Sequence, residues 1–162
     1  MINPTFLFLS FNITEEDCIK TLKTIHLKKG VVCKECGHTE HYWKSDKKSF
    51  ECKKCKKRKS IKVGTLMEGS KLPIHYWVIT LGLILSGKYR IKEIQNHFKI
   101  RYQTIHNLYQ TIITQLRRSK TIISSENVLE EYFLYELFEV NYYEKILETY
   151  LEYLSEPYIE YS

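Results

Sequence analysis

Four thiols at fixed spacing hold the most specific chemistry in this 162-residue chain. Cys33 and Cys36 make one C-x2-C pair and Cys52 and Cys55 a second, with fifteen residues between the pairs, the spacing of a structural zinc site. A C-x2-C loop curls tightly enough to aim both sulfurs at one ion, and two such loops supply the four thiolates of a closed tetrahedron. One Zn2+ held in this way has no coordination position left for a substrate, so it fixes shape and does not react. Gly37, directly after the second cysteine, suits a turn that needs positive φ. Lys34, Lys53, Lys54 and Lys56 favour thiolate over thiol. The competing assignments are two disulfides or inert thiols, and oxidation needs a compartment that nothing else in the sequence indicates. His38 and His41 offer nitrogen ligands, but with four cysteines available they read as surface or hairpin residues.

The elements that must position these sulfurs follow from the residues between them. Residues 41–44 and 49–52 alternate as the two strands of a hairpin, and 60–63 is predicted as a third strand; the whole is a zinc ribbon over residues 31–66. So small a sheet buries little, and metal binding contributes roughly 10 kcal/mol or more to folding such a unit. Upstream, residues 1–11 form an apolar lead-in. Thr14 then caps a helix whose first turn carries Glu15, Glu16 and Asp17, where the helix dipole favours carboxylates. Cys18, Leu22 and Ile25 fall on one stripe, which places the fifth cysteine in the core. Gly30 ends that helix, and residues 1–30 form an N-terminal helical segment.

Downstream, Gly64 and Gly69 bracket a connector, and Pro73 suits the first turn of a helix that is apolar nearly all round, through Ile74, Trp77, Val78, Leu81, Ile84 and Leu85, to Gly87. Such a helix belongs at the centre of a bundle. Ile91, Ile94 and Phe98 mark a two-turn helix. After Lys99-Ile100-Arg101, residues 102–118 repeat Ile105, Leu108, Ile112 and Leu116 on one side. Three helices with a short last connection are laid out as a helix-turn-helix unit over residues 67–120. The expected fold class is therefore a small β zinc ribbon joined to an α-helical helix-turn-helix bundle, mainly α overall. Residues 121–162 form an acidic helical tail, with one helix from Ser125 and a second that 141–144 would open as a capping box and Pro157 would end.

Charge divides the same way. Residues 1–120 hold 24 Lys and Arg against 9 Asp and Glu, a balance of +15; residues 121–162 hold one Lys and ten Glu, a balance of −9; together they give the formal +6. A basic body with an acidic tail points to a polyanionic partner for the body. Ten of the cations lie in residues 44–62 against Asp46 and Glu51, interleaved with Tyr42, Trp43 and Phe50. A charge run is most often a solvated face, but this density beside aromatic rings exceeds what solubility needs. Lys44, Lys47, Lys48, Lys53, Lys54, Lys56, Lys57, Arg58 and Lys59 are the candidate phosphate contacts. On the helix at 102–118, Arg101, Tyr102, Gln103, Thr104, His106, Asn107 and Gln110, with Arg117 and Arg118 at its end, are the candidates for duplex contact; the amides and hydroxyls suit base edges. The plain alternative is a three-helix bundle with a polar outer face.

From about Asn12 to Leu116, the chain resembles the N-terminal region of bacterial DDE-class, ISXO2-like insertion-sequence transposases that begin with a zinc ribbon. The features that carry the resemblance are Glu15-Glu16-Asp17-Cys18, Gly30-Val31-Val32-Cys33, Cys36-Gly37, Phe50-Glu51-Cys52, Cys55, Val63-Gly64-Thr65, Gly69-Ser70-Lys71-Leu72-Pro73, Trp77 and the helices after it. The resemblance implies a module that recognises the terminal inverted repeats of a mobile element. It also implies a catalytic part similar to ribonuclease H, where three acidic residues hold two divalent metal ions. Nothing after Asp46 is an aspartate, and Asn141 in Phe138-Glu139-Val140-Asn141 stands where the first catalytic carboxylate is expected. No catalytic residue is assigned.

The leading expectation is a zinc-dependent protein that binds double-stranded DNA, derived from such a transposase and without catalysis of its own. One alternative is the DNA-binding fragment of a transposase that works with a separate catalytic chain. Another is a zinc-ribbon module for protein interaction. The tail is expected to pack on the bundle, to form a homodimer, or to dock on the basic face in competition with DNA. Without a signal peptide or a span, since the apolar run 72–85 is too short, the expected place is cytoplasmic, at the nucleoid of a bacterium.

Overall fold

The computed structural model describes residues 13–85, 91–118 and 142–157. The lead-in 1–11, the first tail helix expected from Ser125, the capping-box residue Asn141 and the stretch Phe138-Glu139-Val140-Asn141 lie outside them.

The Thr14 hydroxyl accepts the N–H of Asp17 at 3.1 Å and opens α1 (Glu15–Lys29) with three carboxylates in its first turn. Gly30 closes it at φ 85°, donating its N–H to the Leu27 carbonyl, a left-handed stop that favours glycine. Cys18, Leu22 and Ile25 are buried on one stripe, as expected, and burial together with Glu15 and Asp17 pushes the Cys18 thiol far above its ordinary value. This cysteine is a core residue.

Three antiparallel strands follow in the order β1 (His41–Lys44), β2 (Ser49–Cys52) and β3 (Arg58–Ser60). Trp43 pairs with Phe50 and His41 with Cys52 across the first hairpin, and Phe50 with Lys59 across the second. The first two strands match the sequence reading. The third lies earlier than the expected 60–63. Pairing resumes as soon as the second cysteine loop ends, where Cys52 N–H meets the Lys57 carbonyl at 2.9 Å, and beyond Ser60 the chain turns, with Val63 N–H on the Ser60 carbonyl. That turn drops Ile61, 2% exposed, into the main core instead of leaving it on a strand face.

Four more helices follow among the described residues: α2 (Ile74–Leu85), α3 (Ile91–Phe98), α4 (Tyr102–Arg118) and α5 (Tyr142–Ser155). Helix α2 is apolar round its circumference because it packs against α1, α3, α4 and α5. Its free N-terminal amides are met by α1: the Glu15 carboxylate accepts from Ile74 N–H at 3.0 Å and His75 N–H at 2.9 Å, and from His75 Nδ1 at 2.9 Å. One buried cluster runs from Ile13 through α1, Ile61, Met67, α2, α3 and α4 to Leu147, Tyr150, Leu151 and Leu154 of α5. The second tail helix is thus part of the main core. Leu66 N–H donates to the Leu154 carbonyl at 3.1 Å, tying the connector after the ribbon to the last turn of α5.

Candidate metal centre and nucleic-acid interface

Each C-x2-C pair folds as the same tight loop. In the first, Gly37 N–H donates to the Cys33 carbonyl and Cys33 N–H to the His38 carbonyl, both at 2.9 Å. In the second, Lys56 N–H donates to the Cys52 carbonyl at 3.1 Å and Cys52 N–H to the Lys57 carbonyl at 2.9 Å. The position four residues after the leading cysteine takes positive φ in both: Gly37 at 69°, Lys56 at 62°. The hairpin and the turn into β3 bring the two loops together, so that Cys33 Sγ lies 3.5 Å from Cys55 Sγ and Cys36 Sγ 3.5 Å from Cys52 Sγ.

All four sulfurs lie within 4.8 Å of one another. A tetrahedral zinc–thiolate centre, with Zn–S near 2.3 Å, sets its sulfurs about 3.8 Å apart, so the cluster fits such an ion. The local field favours ionised sulfur at two positions. Backbone N–H groups of Cys36 and Glu35 hold the Cys33 thiol below its ordinary value. Burial pushes Cys52 up, but the N–H groups of Cys55 and Lys54 and the neighbouring thiols outweigh it and bring Cys52 down to about 6. At Cys55 the Lys57 N–H draws the thiol down, yet burial and the other three thiols carry it up to about 12. Thiolates this close repel, and a divalent cation at their centre lets all four ionise.

Residues 13–58 match the transposase zinc-ribbon domain. The match takes in α1, all four cysteines and the start of β3. No curated protein and no solved structure matches the chain.

The cations expected to meet phosphate divide into two groups. Lys44 and Arg58 pair with Glu51 at 3.5 and 2.8 Å, Lys53 with Glu40 at 3.0 Å, and Lys47 and Lys48 lie 3.9 Å from Asp46 and Glu15. Lys54, Lys56 and Lys57 are exposed and Lys59 is half-buried, and among the described residues none of the four has a carboxylate within ion-pair distance. Lys62, counted in the same basic run, turns inward: its ammonium donates to the carbonyls of Ser70 and Leu72, and burial lowers its pKa.

On α4, Arg101, Tyr102, Gln103, Asn107, Gln110 and Arg117 are exposed, Thr104 and His106 are half-buried, and Arg118 closes the helix. Gln103 Nε2 donates to Asn107 Oδ1 at 2.8 Å, and the Tyr102 and His106 rings lie 5.8 Å apart. Thr104 and Asn107, with Leu108 and Thr111, also wall a groove of about 470 Å³ whose other side is Leu66, Glu68, Ser70, Lys71 and Leu72 of the connector. The ribbon set and the α4 set therefore stand on separate elements with the connector between them. The sequence places Tyr42 among the aromatic residues of the basic run but not among the candidate contacts; it is an exposed ring with three lysines around it. The available signal was strand periodicity, which puts Tyr42 and Lys44 on one face. No described helix is long and apolar enough to cross a membrane.

Proposed function

We propose that this chain is a zinc-dependent, transposase-derived protein that binds double-stranded DNA. The observation that carries the reading is the four-sulfur cluster within the stretch matching the transposase zinc-ribbon domain, set beside lysines 54, 56 and 57, which have no carboxylate partner among the described residues. Cys33, Cys36, Cys52 and Cys55 would hold one structural Zn2+, which when bound supplies the cross-link that keeps both loops and the sheet in register. The ribbon cations neutralise phosphates, a contribution that is independent of sequence and falls with salt. Helices α3 and α4, joined by Lys99-Ile100-Arg101, act as a helix-turn-helix whose second member enters the major groove and sets register and preference through Gln103, Thr104, His106, Asn107 and Gln110. Duplexes of the kind found at mobile-element ends, which the family resemblance implies, are the first to offer.

The apolar face of α5 is spent within its own core, so homodimerisation through the tail rests on the sequence around 125–137. Likewise Glu148 and Glu156 of the tail pair with Lys28 and Lys29 of α1, both at 2.8 Å. The experiment is selection of bound duplexes from a random pool, followed by affinity against salt. A selected sequence is expected; Gln103→Ala or Asn107→Ala relaxes the preference, whereas Lys57→Ala weakens all sequences alike by about tenfold at 0.1 M salt. A chain that binds no duplex at low salt overturns the reading and favours a protein-interaction module.

A further inference from the structure

The outer face of β1 gathers cations round one aromatic ring. Tyr42, 49% exposed, has Lys53 Nζ 5.3 Å, Lys56 Nζ 5.5 Å and Lys44 Nζ 5.8 Å from its ring centre. Lys44 reaches it from two residues along the same strand face. Lys53 and Lys56 come from the second cysteine loop, which Lys53 N–H fastens to the Glu40 carbonyl just before β1. We propose that Tyr42 with Lys44, Lys53 and Lys56 forms a discrete subsite for a phosphodiester group of duplex DNA, Tyr42 being the residue that positions the cations. The proposal rests on the DNA-binding function above and names one place where the backbone is held.

Two independent observations carry it. The first is electrostatic. Ammonium groups brought to one place repel, and the negative face of a ring offsets that repulsion, fixing them before a ligand arrives. Glu51, opposite Tyr42 in the sheet, is taken by Arg58 and Lys44, and Glu40 by Lys53. Four cations against two carboxylates leave the patch at +2, with Lys56 the member that has no carboxylate partner among the described residues. Ammonium groups are compact point-charge donors suited to phosphate oxygens.

The second is conformational. Lys56 stands at φ 62° in the position that Gly37 fills in the sister loop. The left-handed region costs little for glycine and noticeably more for a residue with a Cβ. The metal loop asks only for the backbone turn, so glycine would serve it better. The lysine side chain is what this place has in exchange, and it lies over Tyr42. Strain of this kind collects at sites where a side chain has a function.

The zinc-loaded full chain is tested by melting temperature and by duplex affinity across a salt series, with variants Lys56→Gly, Tyr42→Leu and Tyr42→Phe. For K56G the two readouts should move in opposite directions: the melting temperature rises, while affinity falls about tenfold at 0.1 M salt and the slope of log K against log salt falls by about one. Y42L keeps every lysine and should still lose affinity severalfold; Y42F, which keeps the ring, rescues it. Wild-type binding with K56G and Y42L unchanged in affinity and slope overturns the subsite and leaves the DNA-binding function standing. Loss of affinity in K56G accompanied by a lower melting temperature also overturns it, since the lysine would then be structural. A wild-type chain that binds no duplex overturns both.

Discussion

The Glu15 carboxylate serves two helices. By charge it suits the first turn of α1, which its position after Thr14 makes legible in the sequence; by hydrogen bonds it caps α2, 59 residues further on. No local pattern reveals so distant a partner. Glu15→Ala is expected to lower unfolding free energy by about 1–2 kcal/mol in denaturant titrations, the ordinary worth of a cap; an unchanged midpoint would deny the second role. His26 gives a pH dependence. Its Nε2–H donates to the Ile61 carbonyl at 2.8 Å and its ring meets Phe50 edge-on at 6.1 Å. Burial chiefly, with Lys59 and Lys29 adding to it, lowers its pKa from the ordinary 6.5. The unfolded chain therefore takes up a proton below pH 6.5 while the folded one resists, so stability present above that value declines as pH falls through it. Denaturation at pH 7.5 and 5.5 with zinc in excess should show this loss, and His26→Gln should reduce it. Equal pH dependence in both would remove His26 as its source. Gly37 was readable from residue type; Lys56 was not, because only the matched geometry of the two loops reveals that a lysine holds glycine's place.

Among elements, α5 departs most from what charge alone suggests. Its glutamates set the tail apart by charge, with packing on the bundle one of three expected roles, and its apolar side runs through Leu147, Tyr150, Leu151 and Leu154 into the common core. The helical spacing of those residues was legible; the surface they meet was not, since amphipathic periodicity names a buried face without naming its neighbour. Leu151→Ala is expected to cost about 2–5 kcal/mol, the range for truncating a fully buried leucine, measured by denaturant unfolding followed through helix content. A cost near zero would mean that α5 is not seated as described. Truncation before α5 should likewise unfold the body and not release a tighter DNA binder. The start of α2 fell where Pro73 put it, and the turn between α3 and α4 where the Lys99-Ile100-Arg101 break put it; Gly87, the expected end of α2, lies outside the described residues. The third strand fell earlier than expected, because its register depends on where the second cysteine loop hands the chain back.

For the molecule entire, metal and core divide the labour. The sulfur cluster sits at the far end of a sheet only three strands wide, while Ile61, Leu66 and Met67 carry the chain from that sheet into the helical core. The cysteine spacing made the metal end legible because a tetrahedron demands it. The arrangement of helices round α2 needed contacts that no repeat encodes. Titration of the metal-free chain with Co2+ reads the metal end: the expected result is a single end point at one ion per chain with the ligand-field spectrum of a tetrahedral all-sulfur site, displaced by Zn2+. An end point other than one, or a spectrum of octahedral oxygen and nitrogen ligation, would contradict a shared four-thiolate ion and with it the fold on which the proposed DNA-binding face depends.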